Sequence, residues 1–451
     1  MKNDGKKESR KQTMELPVVN PNAAGIDIGS RSHYVCVAQD NVQEFGVFTE
    51  NLHQIAQHLK QYYVKTVAME STGFYWKNLF VLLQDHGFEV ILINARHLKN
   101  VKGKKTDVVD SKWIQMLHSL GLLEASFQPD NFTEEIRTYT RHRKSLIDTA
   151  SRYITKMNQA LTLMNIQVGT VIADLSGKSG QNIIKAILAG ERDAKKMAAL
   201  ADIRVKASPE TIEKSLVGNW REEHLFELQQ SYDLYHFYWE KIRECDSKIE
   251  KLLVQSAQGT TVDVTSYKSL KKKKKNKNDP GFKVEKYAYQ LTGGIDLMAI
   301  DGVNVSTILS LISEIGKDLS KFPSAKHFSS WLRLAPNNKK TGGKVIKSHT
   351  PKKKNNFALA LMSAANAIGL GKGPLSGFFK KIALKKGRVA AIIATARKLS
   401  VIIYNMLVNK QQFNYQLANP QLSERDNKLS HIKRQIKKWN ISQEELSIVR
   451  F

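Results

Sequence analysis

The sequence predicts an α/β domain at the N-terminus, followed by a mostly helical remainder. Short apolar strand patterns alternate with amphipathic helix patterns over residues 24–125, which is typical of a mixed sheet flanked by helices. From about residue 133 the apolar residues recur at helical spacing over long stretches, and helical patterns return beyond residue 291. A lysine run at 271–275 lies between these helical regions and indicates a linker.

The α/β region opens with Ala24–Ala38, where an apolar strand carries Asp27 into Gly29 and a second strand follows. Thr106 can cap a helix that runs from Asp107 to about Leu120. Apolar patterns between these two segments predict three strands and two helices, namely strands at Asn41–Phe48, Thr66–Met69 and Phe88–Asn94 and helices at Leu52–Tyr63 and Phe74–Asp85.

The helical remainder contains two long patterns. The first begins near Thr133 and has a strongly basic face, and the second, Glu223–Val254, predicts a coiled coil or helical hairpin suited to dimerisation. Shorter helices are predicted at Phe357–Leu370 and Arg388–Val408, after a Gly- and Lys-rich loop. The predicted divisions are a flexible basic arm (1–21), the α/β domain (22–130), a helical or coiled-coil region (131–259), a basic linker (260–290), a helical domain (291–415) and a helical tail (416–451).

Charge is the unusual feature of the composition. The chain carries 70 Lys+Arg against 42 Asp+Glu, a net charge of +28. Such an excess favours a polyanionic partner, most simply nucleic acid, although a ribosomal or membrane-surface protein would also fit. The cysteines, Cys36 and Cys245, lie too far apart for a metal motif and are interpreted as reduced buried thiols.

Neither a membrane span nor a secretory signal is predicted. No apolar run approaches the ~20 residues that a spanning helix needs. The basic N-terminus lacks the apolar core of a signal peptide. We therefore expect a soluble cytoplasmic protein.

Four acidic residues occupy strand or helix-start positions: Asp27, Glu70, Asp107 and Asp110. Asp107 and Asp110 are three apart, so both lie on one face of their helix, and all four can converge at one edge of the sheet. Carboxylate oxygens of this kind bind Mg²⁺. Two such ions, ~3.5–4 Å apart, stabilise the attacking and leaving oxygens in phosphoryl transfer. The alternatives are a local turn hydrogen bond for Asp27 and a favourable helix-dipole contact for Asp107.

Basic residues flank these acids in the sequence. Three lysines come just before Asp107, and arginines recur on the first long helix. Beside a carboxylate cluster they can bring a nucleic-acid backbone to the metal, and the alternative is an ordinary solvated surface. The candidate phosphate contacts are Lys102, Lys104, Lys105, Arg137, Arg141 and Arg143.

Several motifs, in order, resemble one family of proteins. GIDIGS, VAMESTG, VILINARHLKN and KKTDVVDSKWI are similar to the catalytic domain of the DEDD insertion-sequence transposases, the family of RNA-guided bridge recombinases, which is related to the pilin-gene DNA invertases. IDGVN, FPSAKHFSSWLRLAP, TGGK and ATARKLSVIIYNML resemble the second, helical domain of that family. The resemblance covers most of residues 22–415. It implies a ribonuclease H-like fold of the Holliday-junction resolvase type for the first domain.

The resemblance assigns the four metal-binding acids to Asp27, Glu70, Asp107 and Asp110, with Mg²⁺ or Mn²⁺ as the ion. It also implies a serine nucleophile in a Gly-Gly-Lys loop of the second domain, where this chain has Lys340, Thr341 and Lys344 instead. Thr341 can attack phosphorus as serine does, with a more hindered hydroxyl, while Lys340 and Lys344 can neutralise the phosphate. Another hydroxyl could substitute, or the covalent step could be impaired.

The family likeness further implies a DNA partner, a structured non-coding guide RNA, and a homodimer or homotetramer with the two domains contributing to a site between protomers. The implied protein is a bacterial, nucleoid-associated transposase or site-specific recombinase. Two alternatives remain open: a metal-dependent junction-resolving nuclease, which needs the acids but no loop hydroxyl, and an inactive nucleic-acid-binding relative.

Overall fold

The structure is a computed structural model that describes residues 17–39, 41–94, 106–262, 267, 276–352 and 354–414, together with positions 432, 435, 436 and 439. The chain divides into two compact units, Met1–Gln128 and Pro129–Phe451. The predicted contacts Lys102, Lys104 and Lys105 lie outside the described residues, as does almost all of the predicted tail.

The first unit is built on a five-stranded mixed sheet. Its strands are β1 (Ala23–Ile28), β2 (His33–Ala38), β3 (Asn41–Phe45), β4 (Thr66–Glu70) and β5 (Glu89–Ile93), in the order β3-β2-β1-β4-β5. β1, β4 and β5 run parallel, whereas β2 and β3 are antiparallel to their neighbours. The hairpin predicted around Gly29 is therefore present, as β1 and β2.

Alternating side chains give the sheet two different faces, because successive residues of a strand point to opposite sides. Ala24, Ile26 and Ile28 pack in one core together with helices α1 (Thr49–Gln61) and α2 (Trp76–Asp85). Ala68 and Ile93 pack on the other face against Ile114 of helix α3 (Asp107–Ser119). Thr106 caps α3 by accepting a hydrogen bond from the Val109 amide, as the sequence predicts.

A glycine sets the distance between α3 and the sheet. A Cβ atom on Gly25 would lie 2.2 Å from the amide nitrogen of Gln115 and 2.6 Å from the carbonyl oxygen of Ser111. The backbones of β1 and α3 are thus in direct contact. Gln115 reinforces the contact by donating a hydrogen bond to the Ala23 carbonyl, and His118 is hydrogen-bonded to Thr66 of β4.

The second unit begins with an antiparallel helical hairpin. Its long helices are α4 (Asn131–Leu163) and, after the short helices α5 (Val168–Val171), α6 (Lys178–Leu188), α7 (Ala194–Ala198) and α8 (Pro209–Ser215), α9 (Glu222–Ala257). Arg143 of α4 pairs with Asp246 of α9, and ten residues further along α4 Tyr153 stacks on Tyr238, which comes earlier in α9. The two helices therefore run antiparallel. The segment predicted as a coiled coil or helical hairpin, Glu223–Val254, lies within the single helix α9, which forms a hairpin with α4 of the same chain, and its role in dimerisation stays a prediction. Its buried cluster also includes residues of the short helices, such as Ile183 and Ile212.

A buried carboxylate joins α4 to the helices that follow. Beyond α10 (Val284–Leu291) and a 3₁₀ turn (Leu297–Ala299), helix α11 (Val305–Glu314) ends at Glu314, which is only 3% exposed. Both guanidinium groups on this face of α4 bind it: Arg141 donates to Oε1 and Oε2 at 3.0 and 2.8 Å, and Arg137 donates to its backbone carbonyl. Burial opposes the charge of Glu314, but the hydrogen bonds from Arg141 and Asn356 and the two guanidinium charges outweigh it, so its pKa is lowered.

The remaining elements are α12 (Ala325–Trp331), the antiparallel strands β6 (Asn337–Thr341) and β7 (Lys344–His349), α13 (Asn356–Leu370), α14 (Pro374–Lys386) and α15 (Arg388–Val408). The sequence prediction of a loop around Thr341 was wrong, because β6 and β7 form a hairpin. The predicted linker is also shorter than expected, because Val284, Ala288 and Leu291 give α10 a buried stripe inside it.

Among the described helices, α15 is the one that is long and apolar enough to cross a membrane. The sequence alone did not predict a membrane span here, because Arg388, Arg397 and Lys398 interrupt the apolar residues. Leu399 and Ile403 are buried, and α13 and α14 pack against this helix. It therefore packs as a core helix of the second unit.

Candidate metal centre and nucleophile hairpin

Asp27 and Glu70 lie on the same face of the sheet, at the carboxyl ends of adjacent parallel strands. Ile26 of β1 pairs with Met69 of β4, and continuing this register places Asp27 beside Glu70. Gly25 and Ala68, two residues earlier in each strand, face α3. Because side chains alternate along a strand, Asp27 and Glu70 face α3 as well, and both are half-buried.

Asp107 and Asp110 continue the stripe of α3 that faces the sheet. This stripe contains the buried residues Ser111, Ile114 and His118. Asp107 lies four residues before Ser111, and Asp110 lies four residues before Ile114, so both acids extend the stripe towards the helix N-terminus. The close contact at Gly25 holds this end of α3 beside Asp27.

Asp27 is close enough to the other three acids for their charges to affect its ionisation. Burial, and then the charges of Asp107, Asp110 and Glu70, raise the pKa of Asp27 from 3.8 to about 6. The acids therefore place several negative charges close to Asp27, which is the environment that a divalent cation stabilises.

The side chains are not already arranged around an ion. Within the described residues, no group of three or more His, Cys, Asp or Glu side chains is positioned to hold a metal. Mutual repulsion of four carboxylates favours such an open arrangement. The donor set nonetheless fits Mg²⁺ or Mn²⁺, since both prefer carboxylate oxygens.

Two neighbours of Asp27 were missed by the sequence reasoning. Gly25 carried a usable signal, because an isolated glycine within a strand often marks a close backbone approach. The sequence carried no such signal for Tyr34, because Tyr34 lies opposite Asp27 as a result of how β1 and β2 pair. A hydrogen bond to Glu44 and, to a smaller extent, the charge of Asp107 raise the pKa of Tyr34.

Thr341 lies at the tip of the β6–β7 hairpin in the second unit. Strands β6 and β7 are joined by Gly342 and Gly343, whose φ values are +54° and +75°. A two-residue turn with positive φ at both positions is a type I′ turn, for which glycine is favoured. A Cβ on either glycine would meet nothing within 4 Å, and Thr341 and Lys344 are exposed. The side chain of Lys340 lies outside the described residues.

The three predicted phosphate-binding arginines all have carboxylate partners inside the protein. Arg137 and Arg141 bind Glu314, and Arg143, which is 6% exposed, pairs with Asp246. These pairs join α4 to α11 and to α9, so holding the helices together is a sufficient reason for an arginine at each of the three positions. Contact with nucleic acid through these residues stays a prediction, and for Arg143 it would require a buried pair to open.

Comparison with protein-family models gives two matches, in chain order. A DEDD transposase model of the IS110 type matches residues 24–166, which contain the sheet and all four acids. The model described as "Transposase IS116/IS110/IS902 family" matches residues 296–369, which contain the Thr341 hairpin. No curated protein matches the chain.

Both matching models describe transposases, one over the sheet with its four acids and one over the β6–β7 hairpin, so the chain is a DNA transposase. More narrowly, the chain belongs to the IS110 family of insertion-sequence transposases. It therefore acts on DNA, as an enzyme that cuts and rejoins it, and DEDD domains of this class depend on a divalent metal.

The raised pKa of Asp27 predicts that Asp27→Asn stabilises the metal-free protein. The folded protein disfavours the ionised form of Asp27, and this lowers the free energy of unfolding. The loss is complete above about pH 6, where Asp27 is ionised in the fold, and disappears as pH falls towards 4. We expect the free energy of unfolding to rise by about 1–2 kcal/mol at pH 8, a value discounted because Asp27 is partly exposed. Urea unfolding in EDTA at pH 8 and pH 4 measures the difference. Equal stability of the two proteins at pH 8 would contradict it.

Proposed function

We propose that this protein is the site-specific recombinase of an insertion sequence and that Asp27, Glu70, Asp107 and Asp110 form its divalent-metal centre. The observation that supports this most strongly is the shared position of the four acids on the α3 side of the sheet, with the raised pKa of Asp27. The strand order β3-β2-β1-β4-β5, with helices on both faces, supports a resolvase-type ribonuclease H-like fold.

The four carboxylates would hold Mg²⁺, or Mn²⁺ in its place. Such ions stabilise the attacking and leaving oxygens of a phosphodiester during displacement. The role of the chain itself is to position the acids. Gly25 keeps α3 against β1, Gln115 and His118 anchor the helix, and the Thr106 cap fixes its first turn.

Thr341 is the proposed nucleophile. Its hydroxyl oxygen would attack a DNA phosphorus, forming a phosphothreonyl ester and releasing the neighbouring deoxyribose hydroxyl. Reversal by the hydroxyl of another strand would rejoin DNA and regenerate Thr341. The exposed hairpin tip leaves space for a DNA backbone to approach this hydroxyl, and Lys340 and Lys344 can neutralise the phosphate.

The remaining partners follow from the family. A structured non-coding RNA would select the donor and target DNA by base pairing, and a dimer or tetramer would bring Thr341 and the acids to one phosphate. The predicted location is the bacterial cytoplasm, at the nucleoid. A net charge of +28 suits a protein that binds both RNA and DNA.

Co-purification tests the guide RNA. The protein is expressed from its insertion sequence with the flanking DNA intact, purified at moderate salt, and its bound RNA is sequenced. Recovery of one defined transcript from the flanking DNA is expected. Random cellular RNA in the same preparation would contradict guidance.

The second candidate function is a metal-dependent nuclease that resolves branched DNA. The observation that favours it is the threonine where the family has serine, since a nuclease needs only the acids and water. Cleavage without a covalent protein–DNA adduct would be its signature.

A further inference from the structure

The positive charge of the protein is concentrated in one segment. Residues 319–423 contain 19 Lys+Arg and no Asp or Glu, so they carry two thirds of the net charge of +28 in less than a quarter of the chain. The preceding residues of the same unit mix both signs, as in the pairs Lys241–Glu244 and Arg204–Asp202. The concentration of charge is therefore local.

Within this segment, the sharpest basic surface is the corner between α14 and α15. We call it the basic corner and define it as the exposed residues Lys380, Lys381, Lys385, Lys386 and Arg388. Gly387 alone connects the two helices, with φ of +83°. The opposite face of α14 is anchored by Leu375 and Phe379, which are buried.

None of the five cations forms an ion pair with a described carboxylate. Lys380 donates to the Gly371 carbonyl at 3.4 Å, and Arg388 donates to the side-chain oxygen of Asn366 at 2.7 Å. A carboxylate, Asp301, lies beside Gly373, but that is the opposite end of α14. The described contacts therefore leave the charge of the basic corner uncompensated.

Local helix energetics does not explain the arrangement. Lys385 and Lys386 in the last turn of α14 are favoured by the helix dipole. Arg388 is the first residue of α15, where the dipole disfavours a cation. Lys381 and Lys385 are also like charges four residues apart on α14, an arrangement that destabilises a helix. A bound polyanion would remove these costs.

We propose that the basic corner binds the phosphate backbone of duplex DNA, as a holding surface additional to the metal centre and to the Thr341 hairpin. Lysines grouped around the end of a helix contact phosphates without reading sequence. At the centre of the corner Leu384 is 89% exposed, an apolar side chain suited to contact sugars or the groove floor between phosphates. Such a surface would hold the DNA while strands are cut and exchanged.

The test uses the full-length protein and a random-sequence DNA duplex, with EDTA present and no guide RNA. The variant replaces Lys380, Lys381, Lys385 and Lys386 with Gln. The control replaces Lys195, Lys196, Lys206 and Lys214 with Gln, four exposed lysines of the same unit that lie among carboxylates. Both variants lose four positive charges, and thermal unfolding confirms that each is folded.

We expect the corner variant to bind DNA at least about tenfold more weakly at 100 mM salt. Each lost phosphate contact lowers the slope of log K against log salt by about 0.9, so the slope should fall by about 3–4. The control should change the slope by less than about 1. Equal losses in both variants would overturn the proposal, because they would show a general charge effect.

Two further arms separate other partners. If the corner variant binds DNA normally but no longer binds an RNA duplex or anionic phospholipid vesicles, the surface serves that partner and the proposal is wrong.

A photo-crosslinking residue at position 384 in the otherwise unaltered protein gives an independent measurement. It should crosslink to the DNA duplex, and its failure to do so while the protein is DNA-bound would also contradict the proposal. The metal centre takes no part in these measurements.

Discussion

Replacing Asp27 with alanine is expected to reduce DNA strand cleavage by at least about a thousandfold, since losing one preorganised electrostatic contact alone costs about 10²–10³ in rate. Asp27 is the half-buried acid whose pKa senses the other three, so its loss removes the centre of the proposed cation site. The assay is excision from a plasmid that carries the insertion sequence with its flanking DNA, followed by detection of broken strands.

The matched control is Asp85→Ala, which removes an exposed acid of the same unit at the end of α2. It should leave cleavage unchanged. Full activity of Asp27→Ala would count against catalysis at the four acids. Absence of cleavage by the unaltered protein, with DNA binding retained, would instead favour an inactive nucleic-acid-binding relative.

Replacing Thr341 with alanine is expected to abolish both recombination and the covalent protein–DNA adduct. Alanine leaves the β6–β7 hairpin possible but removes the oxygen that would attack phosphorus. The adduct is detected as labelled DNA that stays on the protein in denaturing gels. Thr341→Ser should retain the adduct, because serine supplies the same hydroxyl with less hindrance.

Ser348→Ala is the matched control, because Ser348 is a nearby hydroxyl in the hairpin stem, paired with Asn338. It should keep the adduct. If Ser348→Ala loses the adduct and Thr341→Ala keeps it, the nucleophile is Ser348 and the proposal for Thr341 is wrong. Undiminished cleavage in Thr341→Ala, with no adduct in any variant, would favour the junction-resolving nuclease.

The first unit was predictable because its signals are local. Apolar alternation gives the strands, Thr106 gives the start of α3, and the acids stand out because carboxylates rarely end apolar strands without a reason. The close contact at Gly25, by contrast, depends on where α3 docks, and only the register of β1 with β4 shows that Asp27 and Glu70 share a face.

The second unit was less predictable, because its decisive contacts join distant residues. Arg141 and Glu314 are 173 positions apart, and Arg143 and Asp246 are 103 apart, so a basic helix face could not be distinguished from a set of internal ion pairs. The β6–β7 hairpin escaped prediction because its strands are rich in Asn and Lys and lack apolar alternation. Only the paired glycines at its tip carried a turn signal.

Binding of Mn²⁺ to the full-length protein, followed by electron paramagnetic resonance, tests the metal centre most directly because it needs neither guide RNA nor substrate. The unaltered protein and Asp85→Ala should bind one or two Mn²⁺ ions per chain. Asp27→Ala should lose this binding while remaining folded by circular dichroism. Mn²⁺ binding by Asp27→Ala equal in stoichiometry and affinity to that of the unaltered protein would contradict a metal centre at these four acids.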